Sequence, residues 1–172
     1  HAAARLRDQP NLHFLIIGDG KEKEGLLQLA QEMQLTNVQF KPLQPMDKLA
    51  ASLSSADIHL VLQKKAAADL VMPSKLTNVL AVGGHALITA DPGTTLYELV
   101  SEHQLGTLVE PENVDALAAG LRAILSGACR EDNAGALAFA DRQLNKENIL
   151  NGFQHSIQKL IRLHSELSTE QL

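Results

Sequence analysis

Aromatic side chains are scarce in this sequence: Phe, Tyr and Trp together make up 3% of its 172 residues, with no Trp and a single Tyr. A stacking platform for single-stranded nucleic acid needs several exposed rings, so that class of function is excluded. Positive charge is short as well. The net charge of −5 opposes a broad phosphate-backbone footprint, and no nucleic-acid partner is expected. Cys129 is the only cysteine, which rules out an intrachain disulfide and a cysteine zinc site and fits a reducing, cytoplasmic compartment. No apolar run approaches the roughly 20 residues of a membrane-spanning helix, and the N-terminus carries no signal-peptide pattern. The opening Ala2-Ala3-Ala4-Arg5-Leu6-Arg7 is helix-like and has no initiator Met, so the chain reads as a fragment.

What is present suits one soluble domain over residues 1–172. Hydrophobic residues are 45% and charged residues 20%, ordinary proportions for a globular core of this length. Leu12 to Ile17 reads as a strand ending in the turn Gly18-Asp19-Gly20, followed by a helix from about Lys21 to Gln34. Asn37 to Lys41 is a short strand closed by Pro42, and Pro45 opens a helix near Met46 to Ser54. Asp57 to Leu62 is a buried strand, and Gln63 to Pro73 is a long non-periodic connection. Ser74 to about Val82 is a helix stopped by Gly83-Gly84, then His85 to Ala90 a strand. Thr94 or Thr95 caps a helix through Glu102, Thr107 to Val109 is a strand, and Asn113 caps a helix to Leu125. A helical tail over about 130–172 consists of two helices meeting near Asn145. This alternation predicts an α/β fold, a Rossmann-like, doubly wound parallel sheet, with the strands beginning near Leu12, Val38, Ile58 and Ala86 in one sheet.

Ligands of such sheets bind beyond the carboxyl ends of the strands. Gly18-Asp19-Gly20 lies at one of those ends, and its glycines allow close approach to the backbone. A tight strand-to-helix turn asks for the same residues, and the third glycine of a dinucleotide fingerprint is missing, so both readings stay open. Ser74 stands where a helix begins, so its hydroxyl and the following amides form an anion site. Lys75 places a cation in that first turn, against the macrodipole, a local cost that a bound diphosphate would offset. An ordinary capped helix with an exposed Lys has the same spacing. Lys64 and Lys65 follow a buried strand at the ligand edge, as a solvated pair or facing phosphate, with Asp69 a surface residue or their partner. The seven histidines show no metal-ligand spacing, no nucleophile elbow or complete phosphate-binding loop occurs, and no catalytic residue is apparent.

From about residue 10 to 160 the chain resembles the family 4 glycosyltransferases, most of all their colanic acid biosynthesis branch. The residues that carry this are Met72-Pro73-Ser74-Lys75-Leu76-Thr77-Asn78-Val79-Leu80-Ala81-Val82-Gly83-Gly84, with Gln63-Lys64-Lys65, Gly18-Asp19-Gly20 and Val109-Glu110-Pro111 in support. The resemblance implies the C-terminal, donor-binding half of a GT-B fold. It places Gly18 and Gly20 beside the donor, Ser74 and Lys75 at its diphosphate, and Thr77 and Asn78 near its ribose; Asp19, Lys64, Lys65 and Leu76 complete the candidate donor-binding set. The family's spaced pair of glutamates is altered: Asn78 occupies the second position and Leu70 the first, with Asp69 one place off register. Asn78 still offers a donor and an acceptor to hydroxyls.

The resemblance further implies a UDP- or GDP-sugar as donor substrate without a separate cofactor or metal, and a saccharide or lipid-linked acceptor of exopolysaccharide or O-antigen synthesis. An N-terminal acceptor domain that holds the catalytic histidine, and the strand preceding Ala2, belong to that expected whole. Retention of configuration, peripheral contact with the inner membrane face, and inactivity of this fragment on its own are expected too. A GT-B sugar-nucleotide epimerase and a non-catalytic α/β interaction domain are the alternatives.

Overall fold

Short β-branched and leucine-rich runs form the strands of a computed structural model that describes residues 1–67, 72–127 and 134–169. Asp69, Leu70 and Cys129 lie outside the described residues. The element order is α1 (Ala2–Arg5), β1 (Phe14–Ile17), α2 (Lys23–Glu32), β2 (Val38–Lys41), α3 (Leu49–Ser54), β3 (Ile58–Val61), α4 (Ser74–Ala81), β4 (His85–Thr89), α5 (Thr95–His103), β5 (Thr107–Val109), α6 (Val114–Leu125), α7 (Ala134–Phe139) and α8 (Lys146–Thr169). A 3-10 turn, Met46–Lys48, precedes α3, and a π turn, Ala140–Leu144, joins α7 to Asn145 and α8. Helices α7 and α8 thus meet across this turn near Asn145. Thr94 caps α5 by accepting from the Tyr97 amide at 3.2 Å, and Asn113 caps α6 by accepting from Ala116 at 2.9 Å.

Every strand pairing is parallel, but the strands form two ladders instead of one sheet. Phe14 to Ile17 pair with Val38 to Lys41, while β4 lies between β3 and β5, with Ile58 opposite His85 and Leu87 opposite Thr107. No ladder bonds join β1 to β3. The two instead share a hydrophobic cluster, in which Leu12 and Phe14 meet Ile58 and Leu60 around Leu6, Leu87, Ala118, Leu121 and Ile124. Without a hydrogen-bonded neighbour on that side, β1 leaves Leu15, Ile16 and Ile17 at 49, 40 and 39% exposure.

Alternation along β4 divides the interior. Ala86 and Ile88 face a cluster built from α4, α5 and the segment around α7, with Leu76, Val79, Leu80, Val100, Ala136 and Phe139. Leu87 faces the opposite cluster with Leu6 and α6. Period-two side-chain direction thus gives one strand two apolar layers, with helices on both faces. The α1 segment is fastened to α6 by Arg122, which donates to both carboxylate oxygens of Asp8 at 2.7 Å and to the Arg5 carbonyl at 2.9 Å. Opposite that bidentate guanidinium, the Asp8 carboxyl is lowered to about 2. In contrast, α8 has no apolar cover: every side chain described from Asn145 to Arg162 is exposed, including Ile149, Leu150, Phe153, Ile157, Leu160 and Ile161.

Candidate functional site

Within each ladder the strands run parallel, so their carboxyl ends face one way, and the loops after them form that ladder's ligand-side rim. After β1, Gly18 adopts φ +139°, a left-handed conformation that a side chain resists, and open space surrounds both Gly18 and Gly20. Asp19 is committed to this turn. It pairs with Lys23 one helical turn on and accepts from the Leu43 amide at 3.4 Å. These two donors, Lys23 first, hold its carboxyl below the usual range. Asp19 therefore ties the β1 loop to the β2 loop, and the two glycines present open backbone.

The loops after β3, β4 and β5 form the rim of the second ladder. The hydroxyl of Thr89, at the end of β4, accepts from the Gln63 amide at 2.7 Å and donates to the Gln63 carbonyl at 3.1 Å. It acts as one more rung after Val61 opposite Ile88. Two residues beyond Gln63, the Lys65 ammonium lies 3.4 Å from Glu110 and 3.9 Å from Asp91. Glu110 also accepts from the Asn113 side chain at 2.7 Å, and that bond and Lys65 lower its pKa. Lys65 thus faces carboxylates. Lys64 is exposed.

At α4 the capping residue is Pro73 and not Ser74. Pro73 has extended φ/ψ and accepts the first helical bond from Leu76 at 2.9 Å, so Ser74 is already helical and its hydroxyl caps nothing. Ser74 instead supplies a carbonyl to the Thr77 hydroxyl at 2.7 Å. The amides of Ser74 and Lys75 precede the first helical bond and point out of the helix end. Leu76 corrects the expectation in a second way. Its side chain is 0% exposed among Val79 and Leu80 in the core and cannot line a ligand. Helical spacing directs Leu76, Val79 and Leu80 inward, and Ser74, Lys75 and Asn78 lie on the other side.

Lys75 is accessible to solvent, yet enough protein surrounds its ammonium for desolvation to lower its pKa from the ordinary 10.5. No carboxylate lies within salt-bridge reach of it among the described residues. His59, on β3 nearby, is 7% exposed, and its Nε2 has no hydrogen-bond partner. Burial lowers its pKa first; a hydrogen bond to the Leu53 backbone works against this, and the Lys75 charge lowers it further. The imidazole fits there because Gly84 has no Cβ: one would stand 2.7 Å from His59 Cδ2. Sequence reasoning singled out Gly18, Asp19, Gly20, Lys64, Lys65, Ser74, Lys75, Thr77 and Asn78. It missed Thr89, Asp91 and the partnership of Glu110 with Lys65. Among the described residues no group of three or more His, Cys, Asp or Glu could hold a metal ion, and no helix is long and apolar enough to cross a membrane.

Comparison with known proteins gives a consistent assignment. The family described as Glycosyl transferases group 1 matches residues 1–138. The Escherichia coli (strain K12) protein WcaI, whose name assigns it to colanic acid biosynthesis as a glycosyl transferase, is 49% identical over 157 residues. That match takes in 91% of this chain and 38% of the relative's length. Among solved structures, a glycosyltransferase of Rickettsia africae superposes with a TM-score of 0.74 at 15% identity, over 93% of this chain and 42% of that one. Anabaena HepE, solved in complex with UDP-glucose, gives 0.71 at 15% identity, over 92% and 44%. At such identities these two superpositions speak to the fold.

Proposed function

This chain belongs to the group 1 glycosyltransferases, and on that premise we propose that it binds the diphosphate of a UDP- or GDP-sugar at the start of α4. The observation that carries this reading is the Lys75 ammonium: partly desolvated, without a carboxylate partner among the described residues, beside the first amides of a helix. A cation in that position is unfavourable until an anion arrives, since the helix N-terminus is itself positive. Ser74 and Lys75 meet the phosphates, Asn78 one turn on meets ribose hydroxyls, and Gly18 and Gly20 give the donor room on the neighbouring rim. No separate cofactor is required.

In the whole protein, neutralising the diphosphate stabilises the departing nucleotide as the sugar moves to its acceptor. The acceptor is a saccharide or lipid-linked sugar of exopolysaccharide or O-antigen synthesis. The sugar is transferred with retention of configuration, by a cytoplasmic enzyme in contact with the inner membrane face. This chain spans 38% of WcaI, and the remainder of the whole protein holds the acceptor and the catalytic groups, so the chain alone gives no transfer. The test is calorimetric titration of the full-length protein with UDP and with GDP, followed by the anomeric configuration of the product. Saturable binding of one nucleotide is expected. Binding of neither, or an inverted product, overturns the corresponding part of the reading.

A further inference from the structure

We infer that Lys65 is a positioning residue: it braces the loops after β3, β4 and β5 and fixes how the chain leaves β3, and it is not itself a phosphate ligand. The inference rests on the reading that the donor diphosphate binds at the start of α4. The brace has two stages. Thr89, which is buried, locks both backbone polar groups of Gln63 at 2.7 and 3.1 Å, so the chain leaves β3 in a fixed direction. Lys65 then spans to Glu110 at 3.4 Å, just past β5, and to Asp91 at 3.9 Å, just past β4. Both anchors are themselves held. Glu110 accepts from Asn113, the cap of α6, and the Asp91 carbonyl accepts from Thr94, the cap of α5, at 2.8 Å.

The consequence for ligand binding comes from chain statistics. From Val61 the polypeptide must return to Ser74 to start α4, and an unanchored return samples many arrangements. Pinning Gln63 and Lys65 fixes how the chain leaves β3, so less ordering is left for the donor to impose. Two carboxylates around Lys65 also answer its charge, whereas Lys75 has none in reach among the described residues. The two lysines flanking this connection therefore do different work: Lys75 meets the anion and Lys65 shapes the path to it.

The two roles differ in sign under one substitution. Were Lys65 a phosphate ligand, Glu110→Gln would release its cation and remove a negative charge from the rim, and nucleotide would bind more tightly. Acting as a brace, Lys65 loses its anchor, and binding weakens. Titration of the full-length protein with UDP and GDP is expected to show Glu110→Gln and Lys65→Ala each weaker by about three- to fivefold, the scale of a partly exposed ion pair. Lys65→Arg, which reaches both carboxylates, restores binding to within about twofold, and the double variant Lys65→Ala/Glu110→Gln is no weaker than either single one. Unfolding temperatures stay at the parent value throughout, since the cluster is at the surface. Unchanged or tighter binding by Glu110→Gln, with the parent binding nucleotide and Lys75→Met losing it, overturns the brace and leaves the donor site standing. A parent protein that binds neither nucleotide overturns both.

Discussion

Lys75→Met separates the two consequences of placing an uncompensated ammonium at a helix start. Met keeps an unbranched stem of similar length and removes only the charge. For binding, the loss is that of a charge-assisted contact to phosphate, about 1.5–3 kcal/mol, or roughly ten- to a hundredfold in affinity. For stability the sign reverses. The ammonium opposes the macrodipole of α4, which costs about 0.3–1 kcal/mol, and desolvation acts in the same direction. Removing it should raise stability by a few tenths to about 1 kcal/mol.

The gain should also depend on pH. The folded-state pKa of Lys75 is lowered, so the unfolded chain binds this proton more tightly than the folded one. The handicap is complete below the folded pKa and fades as pH rises towards 10.5, the ordinary value. Denaturant unfolding of the parent and variant at pH 7 and near 10.5, beside titration with UDP and GDP, reads all three effects. Undiminished nucleotide affinity in Lys75→Met, or a variant less stable than the parent at neutral pH, refutes the reasoning.

Two further outcomes concern the scaffold. Gly84→Ala puts a methyl 2.7 Å from His59 Cδ2 and 2.9 Å from Nε2, against a buried ring that has nowhere to go. Overpacking of this kind costs roughly 1–3 kcal/mol, measured as a lower denaturation midpoint, and an unchanged midpoint would show that β3 and the α4–β4 turn are looser than described. The Asp8–Arg122 pair stabilises the fold above the unfolded carboxyl value of 3.8 and loses that contribution as pH falls through the folded value of about 2. The stability difference between the parent and Asp8→Asn, followed by thermal unfolding at low salt, should therefore shrink between pH 4 and 2. A difference that does not change over that interval would mean the two groups are not coupled.

Local chemistry made most of the chain readable. Thr107 to Val109 has the same bounds in sequence and structure because Gly106 and Pro111 bracket it, and Thr94 and Asn113 announce α5 and α6 through side chains suited to capping. Leu76 was equally readable: it stands three and four residues from Val79 and Leu80, the spacing of a buried helix stripe. It entered the candidate site only because it lies inside a motif. Ser74 is harder to read for a subtler reason. Ser and Pro both favour the start of a helix, and at this one the extended Pro73 carbonyl takes the first helical bond, shifting the cap by one residue. The separation of β1 from β3 and the engagement of Lys65 with Glu110 are pairings between distant parts of the chain. Periodicity and capping rules carry no information about such pairs.

The long helix α8 has a consequence for how this chain opens. At 24 residues it is about 36 Å long, and among the described residues it shares no cluster with the two buried layers. Its persistence in this chain is a matter of helix–coil equilibrium, in which ends fray and each turn depends on its neighbours. Amide hydrogens of β4, α4 and α6 should exchange through openings close to global unfolding, and those of the exposed part of α8 at the low end of the scale. The cooperative unit of the described core is therefore expected to end near Asn145, with α8 opening by itself beyond it.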